Sequence, residues 1–519
     1  MKQSMTNKKA NGIKSAPKKS IDKGSIIKLI MLVCFSALLA FIIQWDRAFS
    51  PEMLIGIFLI AILLLFIFYK DFMRYKPTFH NNYKLMFLVG VLLSGNLLIG
   101  RGFYYILISS AELLGNINSD LAIYAIPLAV GPMLAALLID IHTAIVFSVI
   151  TSLLAGVWLG NPLYSVFTFA AGLTAAFGVI RCKKRSALWK AGFFVGLVCM
   201  FTSLTITLLS GKFYGINIPA TAVFAFVNGI IVTVLVSAFL PLLEYLFKLT
   251  TDISLLELLD LNQPLMRNLL VMAPGTYHHS IIVGNLVEAA AEAVGVNPLL
   301  ARVSAYYHDI GKAKMPDYFI ENQTGLVSKH DKLTPHMSGL ILISHVKEGV
   351  ELAKQHKVPE AIIHIIQQHH GMSLITYFYQ KAKNQDEDIA QGDFRYPGPK
   401  PQTRVAALVL MADAVEAASR VLTDPTPARI SALIEKVINH FFIDGQLDDC
   451  ELTLKDLNEI KKNFGYILTG MFHRRINYPG FDFKDGNSDK EQAKTQAVKH
   501  SEDKKSSQED TVAHKAAGG

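Results

Sequence analysis

Cysteine is scarce in this chain. Four occur in 519 residues (Cys34, Cys182, Cys199 and Cys450), widely scattered and with no Cys-x-x-Cys pair. Cys34 and Cys199 fall inside apolar runs, so neither a disulfide framework nor a cysteine zinc site is indicated. Sustained period-2 alternation is missing as well, which leaves little room for β-sheet. Nor does the formal net charge of +8 concentrate into one basic surface. It is divided among an N-terminal segment, short loops between apolar runs and a charged tail, so the basicity reads as membrane topology and no nucleic-acid polymer is expected as a partner.

What the chain has in quantity is apolar sequence: 51% of residues, a mean hydropathy of +0.34, and the excess in the first half. Apolar runs of bilayer-crossing length recur at 29–45, 53–69, 85–108, 121–139, 141–159, 166–180, 191–209 and 220–247. The third contains Arg101, and only Asp140 and His142 part the fourth from the fifth. Lysine and arginine favour the cytoplasmic side. The N-terminal segment (Lys8, Lys9, Lys14, Lys18, Lys19, Lys23), the second loop (Lys70, Arg74, Lys76, Lys84) and the sixth (Arg181, Lys183, Lys184, Arg185, Lys190) are basic. The odd-numbered loops carry little more than Arg47 and Lys212. Eight spans with both ends cytoplasmic fit that alternation. A cleaved signal peptide is the rival reading of the first run, but no small-residue cleavage site follows it. Glu112, Asp120, Asp140 and His142 are polar outliers that fall where helices should end, and Gly131-Pro132 allows one kink. No array of charged or broken helices marks a transport path.

After about Phe247 the apolar spacing becomes that of amphipathic helices, expected at 255–271, 277–294, 298–311, 335–356, 359–370, 403–422, 427–440 and 453–469. The fold class is therefore all-α: a polytopic helical membrane domain followed by a cytoplasmic all-helical domain. The divisions are a basic segment 1–25, a transmembrane domain 26–248, a cytoplasmic domain 249–480 and a charged tail 481–519 expected to be disordered. The irregular stretch 372–402 reads as a mobile surface loop or a substrate-side lid.

Metal-ligand residue types stand out in this second half. His308 and Asp309 are adjacent within Tyr-Tyr-His-Asp-Ile-Gly-Lys, in an apolar setting where both are costly to desolvate without a partner. His278-His279 precede them; His345, His369-His370 and Asp413 follow. Taken singly, each has a plainer reading. His345 fits as a core histidine, Asp413 could be paired by Arg404 or Arg420, and His369-His370 could sit exposed where a helix closes at Gly371. His330, His336, His356 and His364 are left out of the candidate set. Together the plain readings require five helices each to carry an unexplained polar group facing the core, whereas one metal site accounts for them all. Imidazole with carboxylate suits Mn, Fe or Zn better than Ca or Mg.

The order His, His-Asp, His, His-His, Asp resembles the HD superfamily of metal-dependent phosphohydrolases. The flanking words APGTYHHS, ARVSAYYHDIGK and PDYFIENQ resemble one branch of it, the 7TM-HD cyclic-di-AMP phosphodiesterases of PgpH type. The resemblance implies that His279, His308, Asp309 and Asp413 hold one metal. It implies a second metal held by His345, His369 and His370 and bridged by Asp309, with Lys312 approaching the phosphate and His278 a neighbour only. Asp309 and Lys312 would be the catalytic residues, and the cofactors two divalent transition-metal ions, Mn or Fe. The activity implied is hydrolysis of cyclic di-AMP to 5′-pApA by a multi-pass protein of the bacterial cell membrane with its catalytic domain in the cytoplasm; a homodimer is left open.

Two departures qualify this. Family members carry a large extracellular domain between the first two spans, where this chain has only Asp46 to Glu52. His369-His370 continue as Gly-Met-Ser, without the Gly-Tyr-Pro of relatives that cleave cyclic di-GMP. Alternatives are hydrolysis of another nucleotide (cyclic di-GMP, guanosine tetraphosphate or a deoxynucleoside triphosphate) and a membrane receptor that binds a nucleotide without cleaving it.

Overall fold

The computed structural model describes residues 23–45, 50–75, 83–114, 123–180, 184–211, 218–323, 328–385 and 389–472. Expectations for residues 1–22, for Asp120 and Cys182, for the loop cations Arg47, Lys76, Arg181, Lys183 and Lys212, for the Glu112 side chain and for the tail lie outside the described residues. Met1–Gly465 forms one compact unit; of the second, Tyr466–Gly519, the described part is helical to Met471. Among the described residues every regular element is helical, with a single isolated bridge between Leu374 and Arg395.

The first half contains Lys23–Gln44 (α1), Pro51–Tyr75 (α2), Tyr83–Leu114 (α3), Val130–Leu138 (α4), Ile141–Leu159 (α5), Pro162–Gly178 (α6), Ser186–Leu209 (α7) and Ile218–Phe247 (α8). Six of them (α1, α2, α3, α5, α7 and α8) are long and apolar enough to cross a bilayer. Their outer faces carry exposed Leu29, Phe41, Leu63, Phe201 and Leu209, side chains that a hydrocarbon solvent accommodates and water does not. This is a multi-pass membrane protein.

The fourth apolar run departs from the continuous span expected over 121–139. It folds as a 3-10 turn, Ile123–Ala125, followed by the nine-residue α4. Pro127 and Pro132 remove two backbone donors from the run, so a continuous helix is interrupted there. Non-helical backbone at membrane depth must find partners inside the protein. Asn228 on α8 donates to Tyr124 O at 2.9 Å and to Ile126 O at 2.8 Å. Asn96 on α3 donates to Leu128 O at 2.9 Å and accepts from Gly131 N at 2.9 Å.

The other polar groups of this half have local reasons. Asp140 caps α5, accepting from Thr143 N at 2.8 Å. His142 pairs with Asp71 at 2.7 Å, with Tyr75 stacked on its ring. Arg101 is buried and donates to the last carbonyls of α1, Ile42 O and Ile43 O, both at 2.8 Å.

The second half comprises Asp252–Leu258 (α9), Pro264–Met272 (α10), Pro274–Val294 (α11), Pro298–Tyr307 (α12), Pro335–Gln355 (α13), Glu360–Gln368 (α14), Thr376–Lys383 (α15), Arg404–Ser419 (α16), Pro427–Ile443 (α17) and Leu454–Met471 (α18). Several begin with an oxygen-bearing cap and then proline, as at Asn297-Pro298, Thr334-Pro335 and Thr426-Pro427. α16 is buried nearly all round (Val405 to Asp413, then Val415, Glu416 and Ser419) and is the central helix against which α11, α12, α14 and α17 pack.

Two expectations change here. The helix expected over 255–271 is two helices, because Asp260 accepts from Asn262 N at 3.0 Å in a local turn and Pro264 starts the next helix. The stretch 372–402 contains α15, which sequence reading passed over among the surrounding turn residues.

Candidate metal centre

Four chain segments converge on Asp309. His308 is the last residue of α12's turn and Asp309 leads into the 3-10 helix Ile310–Lys314. Gly311 lets that turn lie directly on α13: a Cβ there would be 1.9 Å from His345 O. The close approach sets Asp309 beside His345, so the glycine of His-Asp-Ile-Gly-Lys is a packing requirement of the site.

The two carboxylate oxygens of Asp309 face two sets of imidazoles. Oδ1 is 3.3 Å from His345 Nε2 and 3.5 Å from His369 Nε2. Oδ2 is 3.3 Å from His308 Nε2 and 3.7 Å from His279 Nε2. Asp413, on α16, places Oδ1 3.0 Å from His279 Nε2 and Oδ2 3.6 Å from His370 Nδ1. Two groups result, His279 with His308, Asp309 and Asp413, and Asp309 with His345, His369 and His370, each with its ligand-type atoms within 4.8 Å of one another. All seven sequence candidates are brought together. His278 is exposed and turned to Tyr277, in keeping with a neighbour's place.

The rings are held from behind. His308 Nδ1 bonds Ala305 O, His345 Nδ1 bonds Leu342 O and His369 Nδ1 bonds Ile366 O, each three residues back in its own helix. His279 Nδ1 is 2.6 Å from Glu416 Oε2. Each partner is an acceptor, so each Nδ1 carries the proton and each Nε2 offers a lone pair inward. His279 Nε2, His308 Nε2 and Asp309 Oδ1 are buried with no hydrogen bond of acceptable geometry, and Asp309 Oδ2 has only the Lys312 ammonium, at 2.7 Å. Inward-facing ligand atoms left short of partners in this way fit divalent cations.

Charge tells the same story. Burial, with His369 alongside, pushes His345 down to about 3 against the pull of Asp309. Burial and His369 likewise hold His370 well below the ordinary histidine value. Both are neutral near pH 7, the state a ligand requires. Burial alone would raise Asp309, but Lys312 and His308 outweigh it and keep the carboxylate ionised. At His279 burial opposes the charge, yet the carboxylates of Asp413 and Glu416 beside its two nitrogens prevail and raise it to about 10, so a cation taken up there displaces the Nε2 proton.

Lys312 lies over Asp309, Nζ to Oδ2 2.7 Å, and is steadied by Glu321 at 2.9 Å. Thr276 Oγ1 in turn donates to Glu321 at 2.9 Å. Neither Glu321 nor Glu416 was among the sequence candidates. Glu416 had a signal: it lies three residues after Asp413, on the same face of one helix. Glu321 had none beyond its place in Pro-Asp-Tyr-Phe-Ile-Glu-Asn. The histidines left out stay apart. His330 Nε2 bonds Tyr318 O at 2.8 Å, and His364 is exposed 3.8 Å from Glu360. The arginines considered for Asp413 are engaged elsewhere, Arg420 with Glu416 and Arg404 with Val294 O and Asp456.

A cavity of about 890 Å³ opens on this centre, reaching Lys312, His345, His370 and Asp413. Tyr396 stacks on His370 at its wall, ring centres 4.2 Å apart.

Comparison with known proteins agrees. Residues 51–251 match the family described as a 7TM receptor with intracellular HD hydrolase, and residues 276–418 match the HD domain. A cyclic-di-AMP phosphodiesterase PgpH of Bacillus subtilis (strain 168) is 41% identical over 364 residues, 69% of this chain and 51% of that protein. Its counterpart in Listeria monocytogenes serotype 1/2a (strain 10403S) is 39% identical over 360 residues, 69% and 50% respectively. A crystal structure of the L. monocytogenes PgpH HD domain in complex with cyclic-di-AMP is 46% identical, covering 42% of this chain and 100% of that one, with a TM-score of 0.40. The chain spans about half the length of the curated relatives it matches. An HD domain is a divalent-metal-binding unit, and the seven converging side chains are suited to that task. With an HD domain behind a membrane region of this type, the chain belongs to the family of 7TM receptors with an intracellular HD hydrolase.

Proposed function

We propose that this protein is a membrane-anchored phosphodiesterase that hydrolyses cyclic di-AMP to 5′-pApA, with its HD domain on the cytoplasmic side. The observation that carries the reading is Asp309, whose two oxygens serve two separate histidine sets. A carboxylate so placed would be shared by two cations, the arrangement that in-line displacement at phosphorus uses. The substrate comes from the relatives at 41% and 39% identity, which are named cyclic-di-AMP phosphodiesterases.

In this reading His279, His308, Asp309 and Asp413 would hold one ion, and Asp309, His345, His369 and His370 the other. When bound, two divalent transition metals, Mn or Fe on this donor set, supply a readily deprotonated water and neutralise charge on the phosphoryl oxygens. The residues do the rest. Glu416 and three backbone carbonyls fix the imidazole tautomers. Burial raises the cost of any misplaced charge and excludes bulk water. Lys312, held charged by Asp309 and Glu321, takes a non-bridging phosphoryl oxygen as the 3′ oxygen departs. Asp309 and Lys312 are thus the catalytic residues.

The test is conversion of cyclic di-AMP to pApA by the full-length protein in detergent, loaded with Mn, beside Asp309→Ala. Asp309→Ala should lose both metals and all measurable turnover while the membrane half keeps its helical signal. Hydrolysis of another nucleotide with none of cyclic di-AMP would refute the substrate; dinucleotide binding without turnover in metal-loaded protein would make it a receptor.

A further inference from the structure

The cavity on the metal centre is lined well beyond the centre itself. Its lining includes Ala414, Ala417 and Ala418, the small residues on one face of α16, and residues of α17 and α15. The alanines leave open the space that larger residues would fill. On α17 the lining residues include Lys436, His440 and Phe441, spaced i, i+4, i+5, so one face of that helix looks into the cavity. On α15 they include Tyr377 and Lys381, again i, i+4.

Among the described residues Lys381 and Lys436 make no ion pair or hydrogen bond, although carboxylates line the same space. Glu321 is taken by Lys312, and Asp413 faces His279. Asp331, the remaining one, pairs with neither lysine. Two uncommitted cations and His440 line the same cavity as a centre suited to a phosphate, and add anion-attracting groups to its walls. Phe319, Tyr396 and Phe378 line it as well, surfaces on which a base can lie.

We propose that Lys381 and Lys436 bind the phosphate of the dinucleotide that is not being cleaved, and so set a preference for substrates with a second phosphate one nucleoside away from the first. This rests on the phosphodiesterase reading above. Because neither lysine makes an ion pair or hydrogen bond with the metal-ligating residues, they act on substrate binding and positioning. A cyclic dinucleotide held at both phosphates is fixed in register over Asp309. A linear product, freed at one end, is held less well.

The test uses full-length Mn-loaded protein and two probes. Bis(p-nitrophenyl) phosphate has one phosphodiester and no second phosphate for the lysines to bind; cyclic di-AMP is added as a competitor of its hydrolysis. In a Lys381→Ala/Lys436→Ala double variant the inhibition constant of cyclic di-AMP, relative to the KM of the one-phosphate probe, should rise by about tenfold or more, since each lysine contributes a charge-assisted hydrogen bond. Lys381→Arg/Lys436→Arg should keep the ratio near wild type. An unchanged ratio in the alanine variant overturns the proposal. So does loss of metal, or an equal loss on both probes, which would assign the lysines a structural role. Failure of wild type to convert cyclic di-AMP to pApA counts instead against the phosphodiesterase reading, because the inhibition constant is read whether or not the competitor turns over.

Discussion

Removing the Glu416 carboxylate should loosen one metal site and leave the other alone. Glu416 is buried on α16, with Oε2 2.6 Å from His279 Nδ1 and Oε1 taken by Arg420. Its carboxylate makes no hydrogen bond or ion pair with His345, His369 or His370. A hydrogen bond to a charged group is worth about 1.5–3 kcal/mol. Outer partners of ligating histidines typically set about 10–100-fold in metal affinity. In Glu416→Ala the His279 ring loses the acceptor that fixes its tautomer, while Arg420, half exposed at the helix end, can turn to water. The expected result is a two-phase metal titration: one ion binding as in wild type, the other weakened by about 10–100-fold. Turnover at saturating Mn should fall less than affinity does. Glu416→Gln keeps an oxygen facing Nδ1–H and should show a smaller shift. The assay is equilibrium dialysis against Mn with activity followed in parallel, and circular dichroism to confirm folding. Equal weakening of both ions, or no weakening, would refute the assignment of Glu416 to His279 and the division into two sites with it.

Lys312→Ala should cut turnover by about 10²-fold or more, as loss of a charge-stabilising donor commonly does, while both metals stay bound; metal loss in that variant would contradict a phosphate role. Asn228→Leu should cost about 1–2 kcal/mol by removing the two hydrogen bonds that Asn228 gives to Tyr124 O and Ile126 O at membrane depth, read as a lower thermal midpoint in detergent, and an unchanged midpoint would refute the account of the broken fourth run. The Arg395–Asp444 pair, 2.9 Å apart, gives a pH dependence. The hydrogen bond from Arg395 lowers the Asp444 carboxyl, so the pair stabilises above about pH 4 and the contribution fades as pH falls through the depressed value. Arg395→Ala should therefore cost about 0.5–1 kcal/mol at neutral pH, discounted for solvent screening, with the difference from wild type vanishing in acid; a constant difference across pH would refute it.

How far the sequence discloses the site depends on how the residues make their point. His308-Asp309 is legible because two costly groups adjoin in an apolar run, and Asp413 because a lone carboxylate interrupts one; burial without a partner is a local signal. Glu416 sits in the same helix and is as deeply buried, but it is followed by Arg420, which makes an ordinary i, i+4 surface pair of it on paper. Only the fold turns its other oxygen toward His279. The membrane half divides in the same way. Hydropathy discloses where apolar chain lies but not whether it can stay helical. In the fourth run the prolines are visible, while the partners that make a break tolerable, Asn96 and Asn228, are 32 and more than 100 residues away from the carbonyls they serve. Each of those asparagines reads alone as a minor blemish in a good span. A polar residue inside an apolar run is therefore best read as half of an interaction whose other half is irregular backbone or an ion. Asp309 and Asn228 are the same kind of signal, and what separates them is that the first has histidines around it and the second has the carbonyls of irregular backbone.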